Sequence, residues 1–451
     1  MAAPPFYFVT LTHATWEEAL ACARDLPPEA LPELRLDLFP DLEPEAMIHA
    51  LGRRCLVTCR RRDEGGAWDG DEAGRLARLL EAARCRPAWV DLEWELEVPT
   101  ALREVRAHVR ILRSVHVPEG VFDLEARLAA LPEGDAYKWV GRAGRLADNA
   151  RLRGPLAWAR DRKLYLSAFL MGPKGIPSRC LQGAWGGAFT YAAPDDAPAA
   201  APGQIHLWRM FSWRCHRLHK GFGLCGVLGQ PVLHSLGPAF HNERFQRAFK
   251  DLLYLPLDCG DPAEAAEALE ALGILGASLT APLKESLPAL LGLQGPLNTL
   301  CRREPGQPWQ GANTDAEALE AALGDLEPGP VLVLGDGGVA HTSTAVLERL
   351  GRPWLQVSRR APASPSAVRA FAPVGIVQAT RLGMDPGDPL PFPEGLEAAQ
   401  GARWGVEWIY KEDTAFAQWL RDGGRHVVAG TALFEAQAAL QSARFIGQCG
   451  G

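Results

Sequence analysis

No apolar run in the 451 residues approaches the ~20 that a membrane-spanning helix needs. The opening Met-Ala-Ala-Pro-Pro has no basic n-region and no long apolar h-region, so a secretory signal is not expected and a cytoplasmic protein fits best. Positive charge is not in excess. Lys plus Arg is 47 against 54 for Asp plus Glu, a net charge of −7, which leaves no footprint for nucleic acid. The 10 cysteines have no pairing pattern. Only Cys55 and Cys59 are close, both inside one strand-like run, so free thiols are expected rather than a metal site or disulfide framework. No long Gly/Ser or Pro linker divides the chain. What is present is a 47% hydrophobic fraction, enough for real cores, and a length that implies two or three domains.

Apolar strand-like runs recur through the first half at 6–11, 31–39, 55–60, 89–94, 109–116, 136–140, 164–170 and 187–191. Segments of helical period separate most of them, such as 73–84 and 123–131. Strands alternating with helices imply a parallel sheet, and about eight such units close a (β/α)8 barrel. In Glu33-Leu34-Arg35-Leu36-Asp37 the leucines form one face and the charges the other. A barrel strand packs its outer face on helices, so the leucines go out and the charges go in. Lys138 falls on the face of Ala136 and Val140. A lysine buried there loses part of its proton affinity and becomes a nucleophile towards a ketone, giving a Schiff base. His116, at the end of another strand, can move protons, and Glu64 can hold its imidazole. Arg35, Arg60 and Arg179 can take a carboxylate or hydroxyls.

These residues resemble type I 3-dehydroquinate dehydratase over about 6–207. The matching stretches are Glu33 to Asp37, Arg60 through Glu64-Gly65-Gly66, Ser114-Val115-His116, Lys138, Met171-Gly172-Pro173-Lys174-Gly175 through Ser178-Arg179, and Ala201-Pro202-Gly203-Gln204. The resemblance implies that Lys138 forms an imine with the ring ketone of 3-dehydroquinate, with no cofactor. His116 would remove the C2 proton and help water leave, and Glu64 would orient it. Arg179 and Gln204 would bind the carboxylate end; Glu33, Arg35 and Arg60 would bind the hydroxyl side. Ala200 stands where the family usually has serine.

The stretch 226–242 begins the second half. A strand ends at Gly229 and Pro231, and Pro238 is placed to open a helix. From Gly221 onward the chain resembles shikimate dehydrogenase. The carrying motifs are Gly229-Gln230-Pro231-Val232-Leu233-His234-Ser235, Ser278-Leu279-Thr280-Ala281-Pro282-Leu283-Lys284, Asn298-Thr299-Leu300 and Asn313-Thr314-Asp315. Ketone reduction needs a hydride donor and a proton donor near the forming alkoxide. Lys284 and Asp315 can supply the second as a pair. The resemblance adds Ser235, Thr280, Asn298, Tyr410 and Gln437 as substrate-binding positions.

Val331 to Leu334 runs into Gly335, Gly337, Gly338 and Ala340 and then a helix, which is the glycine turn of a dinucleotide site in its strand–helix context. After the next strand come Ser358, Arg359 and Arg360, with no acidic residue, which suits the 2′-phosphate of NADP. Gly383 and Met384 match a further cofactor-binding segment of the family. Several positions depart from it: Gly237, Ser278, Asp336, Gln378 and Arg381. The span 360–376 is short for a helix and strand, so a trimmed Rossmann-type lobe is expected.

The expected domains are a barrel at 1–218, a substrate lobe at 221–321 completed by 425–451, and an NADP lobe at 322–424. The leading expectation is a bifunctional enzyme acting on small-molecule substrates, 3-dehydroquinate and then 3-dehydroshikimate. One alternative keeps only the barrel as an enzyme, beside a ligand-binding or assembly module. Another shifts the second activity toward quinate, because Gly237 leaves the place of a serine open. Neither nucleic acid nor membrane is an expected partner, and a homo-oligomer remains open.

Overall fold

The computed structural model describes residues 6–385, 387–411 and 414–449. Eight strands form the first sheet: β1 (Tyr7–Thr10), β2 (Ala30–Arg35), β3 (Leu56–Thr58), β4 (Trp89–Glu93), β5 (Arg110–His116), β6 (Ala136–Arg142), β7 (Leu166–Met171) and β8 (Thr190–Ala192). Their order is β7-β6-β5-β4-β3-β2-β1-β8, with the recorded pairings parallel. Ala188 N–H donates to Leu166 O at 2.8 Å, linking the two edges of the sheet into a barrel. Helices lie between strands, as the alternating pattern requires.

The two faces of each strand separate as expected. Leu34 and Leu36 pack outward against Met47, Ile48, Leu79 and Ala82 of the surrounding helices. Phe8, Leu56, Trp89, Leu112 and Phe169 fill the interior. β2 ends at Arg35, so Asp37 lies in the turn beyond it and reaches back, accepting from Arg60 N–H at 3.1 Å.

By compactness the chain divides into 1–274 and 275–451. The first unit also contains β9 (Gly223–Gly229), β10 (Leu252–Asp258), and the helices Gly237–Arg247 and Pro262–Ala271. β9 and β10 pair in parallel over their full length. Pro238 sits in the first turn of helix Gly237–Arg247, as its fixed φ favours. Asn242, inside that helix, is spent on the fold. It bonds Pro238 O and Tyr254 O at 2.8 Å and accepts from Tyr254 N–H at 2.8 Å.

In the second unit β11 (Ile274–Leu279), β12 (Thr299–Cys301) and β13 (Gln310–Ala312) pair antiparallel. Then follow β14 (Val331–Leu334), β15 (Trp354–Val357), β16 (Gly375–Gln378), β17 (Trp404–Glu407) and β18 (His426–Val428). These form a parallel sheet in the order β15-β14-β16-β17-β18. Val331 and Val333 face one helical layer, with Leu347 and Leu433. Leu332 and Leu334 face the other, with Val368, Leu396 and Leu420. Both faces are covered, as a doubly wound sheet demands. The short span 360–376 still holds the helix Pro365–Phe371 and the start of β16. The lobe is economical, with its helix–strand unit intact. Among the described residues no helix is long and apolar enough to cross a membrane.

Candidate active sites

A cavity of about 440 Å³ opens at the carboxyl ends of the barrel strands. Glu33, Arg35, Arg60, Glu64, His116, Lys138, Arg179 and Gln204 all line it, so every residue expected there is brought together. Lys138, 5% exposed, lies with Nζ 4.0 Å from the Tyr191 ring centroid. Burial pushes its ammonium down to about 8, with Arg60 adding to the push and Glu33 and Asp91 opposing it. Neutral amine is therefore accessible near neutral pH.

Arg60 is the electrostatic hub. Its guanidinium donates to Asp91 at 2.5 Å, Glu64 at 2.8 Å and the Ser114 hydroxyl at 3.1 Å. Burial works against the Arg60 cation, but Asp91, Glu64 and Glu33 outweigh it and hold it protonated. His116 Nδ1 lies 2.9 Å from Glu64 and 3.3 Å from Arg60 Nη1. Since Arg60 already donates to Glu64, Nδ1–H pointing at Glu64 satisfies all three groups and leaves Nε2 as a free base. Burial first, then Arg60 and Lys138, lowers the imidazole well below its usual range, so it stays neutral.

The substrate-facing groups differ in how committed they are. Arg35 is bidentate to Asp37 at 2.8 and 2.5 Å. Glu33 accepts from Thr10 at 2.6 Å and Thr58 at 2.9 Å. Arg179 is 2% exposed, with its guanidinium 4.4 Å from the Phe169 ring centroid and its Nε without a hydrogen-bond partner. Burial pushes it down to about 10, the condition of a cation waiting for an anion. Gln204 donates to Thr10 at 3.4 Å and accepts from Ala200 N–H at 2.9 Å.

The segment carrying Gln204 is pinned over the cavity. Gly172 N–H donates to Pro202 O at 2.9 Å. Gly203 has φ +77°, and a Cβ there would sit 2.2 Å from Gly172 O. Two side-chain bonds tie the same segment to the loop after β1: Thr12 to Pro198 O at 2.6 Å, and His13 to Asp196 at 2.9 Å. The Cys22 thiol joins His13 and Asp196 in a group with metal-ligating donor types. The His13–Asp196 bond uses His13 Nε2, while His13 Nδ1 is buried without a hydrogen-bond partner. Burial and Asp196 push Cys22 up to about 12, which keeps it protonated.

In the second unit Lys284 Nζ lies 2.6 Å from Asp315 Oδ2. The carboxylate is 8% exposed and the lysine 30%, so the pair is half open. Asn298 Oδ1 accepts from Thr314 N–H at 2.8 Å and Thr299 Oγ1 at 2.9 Å, setting the start of the helix that carries Asp315. Gln437 Oε1 accepts from Thr314 Oγ1 at 3.3 Å. Ser278 donates to Gln441 at 2.8 Å, and Gln441 donates to Asn298 O at 3.1 Å. Thr280 is half-buried at the end of β11, its carbonyl accepting from Leu283 N–H at 2.8 Å. Tyr410 is exposed on one side and packs on Phe434 with ring centroids 5.0 Å apart. Ser235 lies in the first unit, its hydroxyl accepting from Gly237 N–H at 3.1 Å. A Cβ at Gly237 would stand 3.2 Å from both Ser235 Oγ and the Tyr254 ring. A side chain at 237 would therefore fit only if Ser235 or the Tyr254 ring gave way by a few tenths of an ångström.

The glycine turn fits a pyrophosphate. Gly335, at φ +120°, lies against Ala379 O, where a Cβ would come within 2.7 Å. Beyond it Gly337 and Gly338 have open space around their Cβ positions, at the amino end of helix Gly338–Arg349. The site lies at the β14/β16 switch point of the sheet. Asp336 caps nothing; its carboxylate stands 3.9 Å from Arg360 Nε. Ser358 Oγ accepts from Arg360 N–H and Ala361 N–H, both at 3.1 Å, and Arg359 and Arg360 are exposed. Gln378 braces the next loop, donating to Leu382 O at 2.8 Å and accepting from Thr380 N–H at 2.6 Å. Gly383, at φ +107°, donates to Asp388 at 2.8 Å, and Met384 is exposed beside it.

Residues 7–212 match the type I 3-dehydroquinase family. The first half is a type I 3-dehydroquinase domain. Residues 227–294 match the shikimate dehydrogenase substrate binding domain, so the chain joins the two families. Similar solved structures include the dehydroquinate dehydratase and shikimate dehydrogenase of S. pombe, at 18% identity over 99% of this chain and 96% of that one, TM-score 0.40. Shikimate 5-dehydrogenase of Thermus thermophilus, solved with NADP(H) and shikimate, is 28% identical over 51% and 95%, TM-score 0.44. Corynebacterium glutamicum quinate dehydrogenase with NAD is 21% identical over 50% and 94%, TM-score 0.42.

Several residues of the dehydroquinase cavity escaped the sequence-based expectations. Asp91 anchors Arg60, and Tyr191 lies under Lys138. Asp91 was findable, because it shares one face of β4 with Trp89 and Glu93, as Glu33 and Arg35 share one face of β2. Gln441 carries no local signal, since only the tertiary fold brings it to Ser278.

Proposed function

We propose that the dehydroquinase domain converts 3-dehydroquinate to 3-dehydroshikimate through an imine on Lys138, and that the second half reduces this product to shikimate with NADPH. The observation that carries the first step is Lys138, buried and pushed down to about 8 in a cavity whose other walls are charged. Its neutral amine attacks the ring ketone, and loss of water leaves the iminium. That cation acidifies C2–H, and the free Nε2 of His116 takes the proton. The resulting imidazolium returns it to the departing hydroxyl, and hydrolysis frees Lys138. Glu64 keeps the imidazole in the tautomer this needs. Arg179, with no carboxylate partner among the described residues, suits the substrate carboxylate, with Gln204 on the lid beside it.

For the second step, Gly335, Gly337 and Gly338 would hold the pyrophosphate, and Ser358, Arg359 and Arg360 the adenosine phosphate of NADP. Gly383 and Met384 would line its nicotinamide end. When bound, the cofactor supplies the hydride. Lys284, held by Asp315, is poised to give a proton to the alkoxide oxygen. In the second unit Thr280, Asn298, Tyr410 and Gln437 would hold the ring hydroxyls and carboxylate. Because one half makes what the other consumes, both substrates are small hydroxylated acids, and the net charge of −7 gives no reason to add nucleic acid as a partner. Borohydride added with 3-dehydroquinate should fix the ligand's mass on Lys138. An unmodified Lys138 in an otherwise active enzyme would refute the imine.

A further inference from the structure

Glu264 belongs to the helix Pro262–Ala271, beyond the dehydroquinase domain in sequence, yet it is 8% exposed and bonded into that domain. Within the first compact unit its Oε1 accepts from Leu146 N–H at 3.0 Å, and its Oε2 pairs with Lys174 Nζ at 2.7 Å. Lys174 also reaches Gly144 O at 3.3 Å. Its own carbonyl accepts from Asn149 Nδ2 at 2.7 Å, and Asn149 Oδ1 accepts from Ser178 N–H at 3.0 Å. Ser178 precedes Arg179 and fixes its turn to β7 by accepting from Leu170 N–H at 2.9 Å. The loop holding Lys174 begins at Gly172, on which the lid residues Pro202 and Gly203 rest. One carboxylate from the second half is thus bonded into the loop that positions both the anion-binding arginine and the lid.

We propose that Glu264 is a positioning residue for the dehydratase, so that docking of helix Pro262–Ala271 sets the grip of Arg179 and the lid on the substrate carboxylate. This rests on the dehydratase reading above. A charge buried opposite Lys174 holds one geometry of the 172–175 loop. Without it the lysine turns to solvent, and the loop gains freedom at the cost of binding. Lys138 and His116 hang from β6 and β5, outside this chain of bonds, with the Tyr191 ring beside one and Glu64 beside the other, so chemistry on bound substrate survives. The signature is a rise in KM with kcat kept.

The test uses the full chain with Glu264→Gln, Lys174→Met and the double variant. An additional Arg145→Ala variant breaks only the exposed Arg145–Glu267 pair of the same contact, 2.5 Å long. Each buried-pair variant should raise dehydratase KM about 5- to 20-fold with kcat within about 2-fold. The double variant should be no worse than the more affected single. Arg145→Ala should keep the parental KM. All should trap substrate on Lys138 with borohydride at saturation. Parental KM in Glu264→Gln and Lys174→Met, or an equal rise in Arg145→Ala, overturns the proposal. Failure of the parent chain to trap substrate instead sinks the imine reading beneath it.

Discussion

Lys138 is where one residue's environment dictates the chemistry. With its ammonium at about 8, the neutral fraction falls about tenfold per pH unit below that point. The initial rate of borohydride trapping, at saturating ligand, should therefore climb with slope near one up to about pH 8 and then level. A flat profile from pH 6 to 9 would mean an unperturbed or permanently neutral amine. The same shift costs stability. A lysine whose folded pKa is depressed penalises the fold wherever the unfolded chain holds the proton more tightly. The penalty is full below about 8 and gone above the unfolded value of 10.5. Lys138→Met should therefore abolish dehydration yet stabilise the protein at pH 7, by on the order of 3 kcal/mol or less, with the gain vanishing above pH 10.5. Denaturant melts at pH 7 and pH 10.5 check this. At the other site, Lys284→Met should slow ketone reduction roughly 10²- to 10⁴-fold while NADPH still binds by calorimetry. Loss of binding as well would make the lysine a structural partner of Asp315. Lys138 was legible because a charged side chain on an apolar strand face is rare unless used, whereas Lys284 and Asp315 stood out only through their motif context. The couplings inside the barrel cavity were not, since Arg60 just past β3, Asp91 on β4 and Ser114 on β5 are far apart in sequence.

At the level of the element, two turns carry specific expectations. The lid turn at Gly203 needs a left-handed residue in contact with Gly172 O. Gly203→Ala should shift the lid toward open and raise dehydratase KM roughly 5- to 30-fold, corresponding to the cost of that backbone region for alanine. An unchanged KM would show that the lid does not touch substrate. In the glycine turn, Asp336 faces Arg360 rather than capping the helix. If NADPH binds as proposed, Asp336 would place negative charge near its pyrophosphate and compete with the 2′-phosphate for Arg360. Asp336→Ala should then tighten NADPH about 2- to 5-fold, the size of a charge effect at a helix start. Removing Arg359 and Arg360 together should weaken NADPH roughly 10- to 100-fold and leave NADH nearly unchanged. Equal loss for both would make the arginines structural. Strand and helix positions followed the sequence periodicity closely, because each barrel strand has one apolar outer face and one packed inner face. The short span 360–376 of the nucleotide lobe holds a seven-residue helix, Pro365–Phe371, and the start of β16.

The molecule as a whole joins two families whose reactions are consecutive. That order was legible in the sequence, because motifs of both families occur in chain order. The tie through Glu264 was not, because a glutamate on an Ala-rich helix reads as a solvated charge until its neighbours are known. The three-lobe division inferred from sequence is proposed alongside a compact-unit boundary at Ile274/Leu275, at the start of β11. The central claim is that one chain carries both chemistries. Its most direct test is to incubate the purified protein with 3-dehydroquinate and NADPH, following enone absorbance and NADPH absorbance together. The account predicts that enone absorbance rises first and then declines as NADPH is consumed. Enone that accumulates while NADPH stays constant would contradict it, leaving the dehydratase as the chain's one activity in that assay.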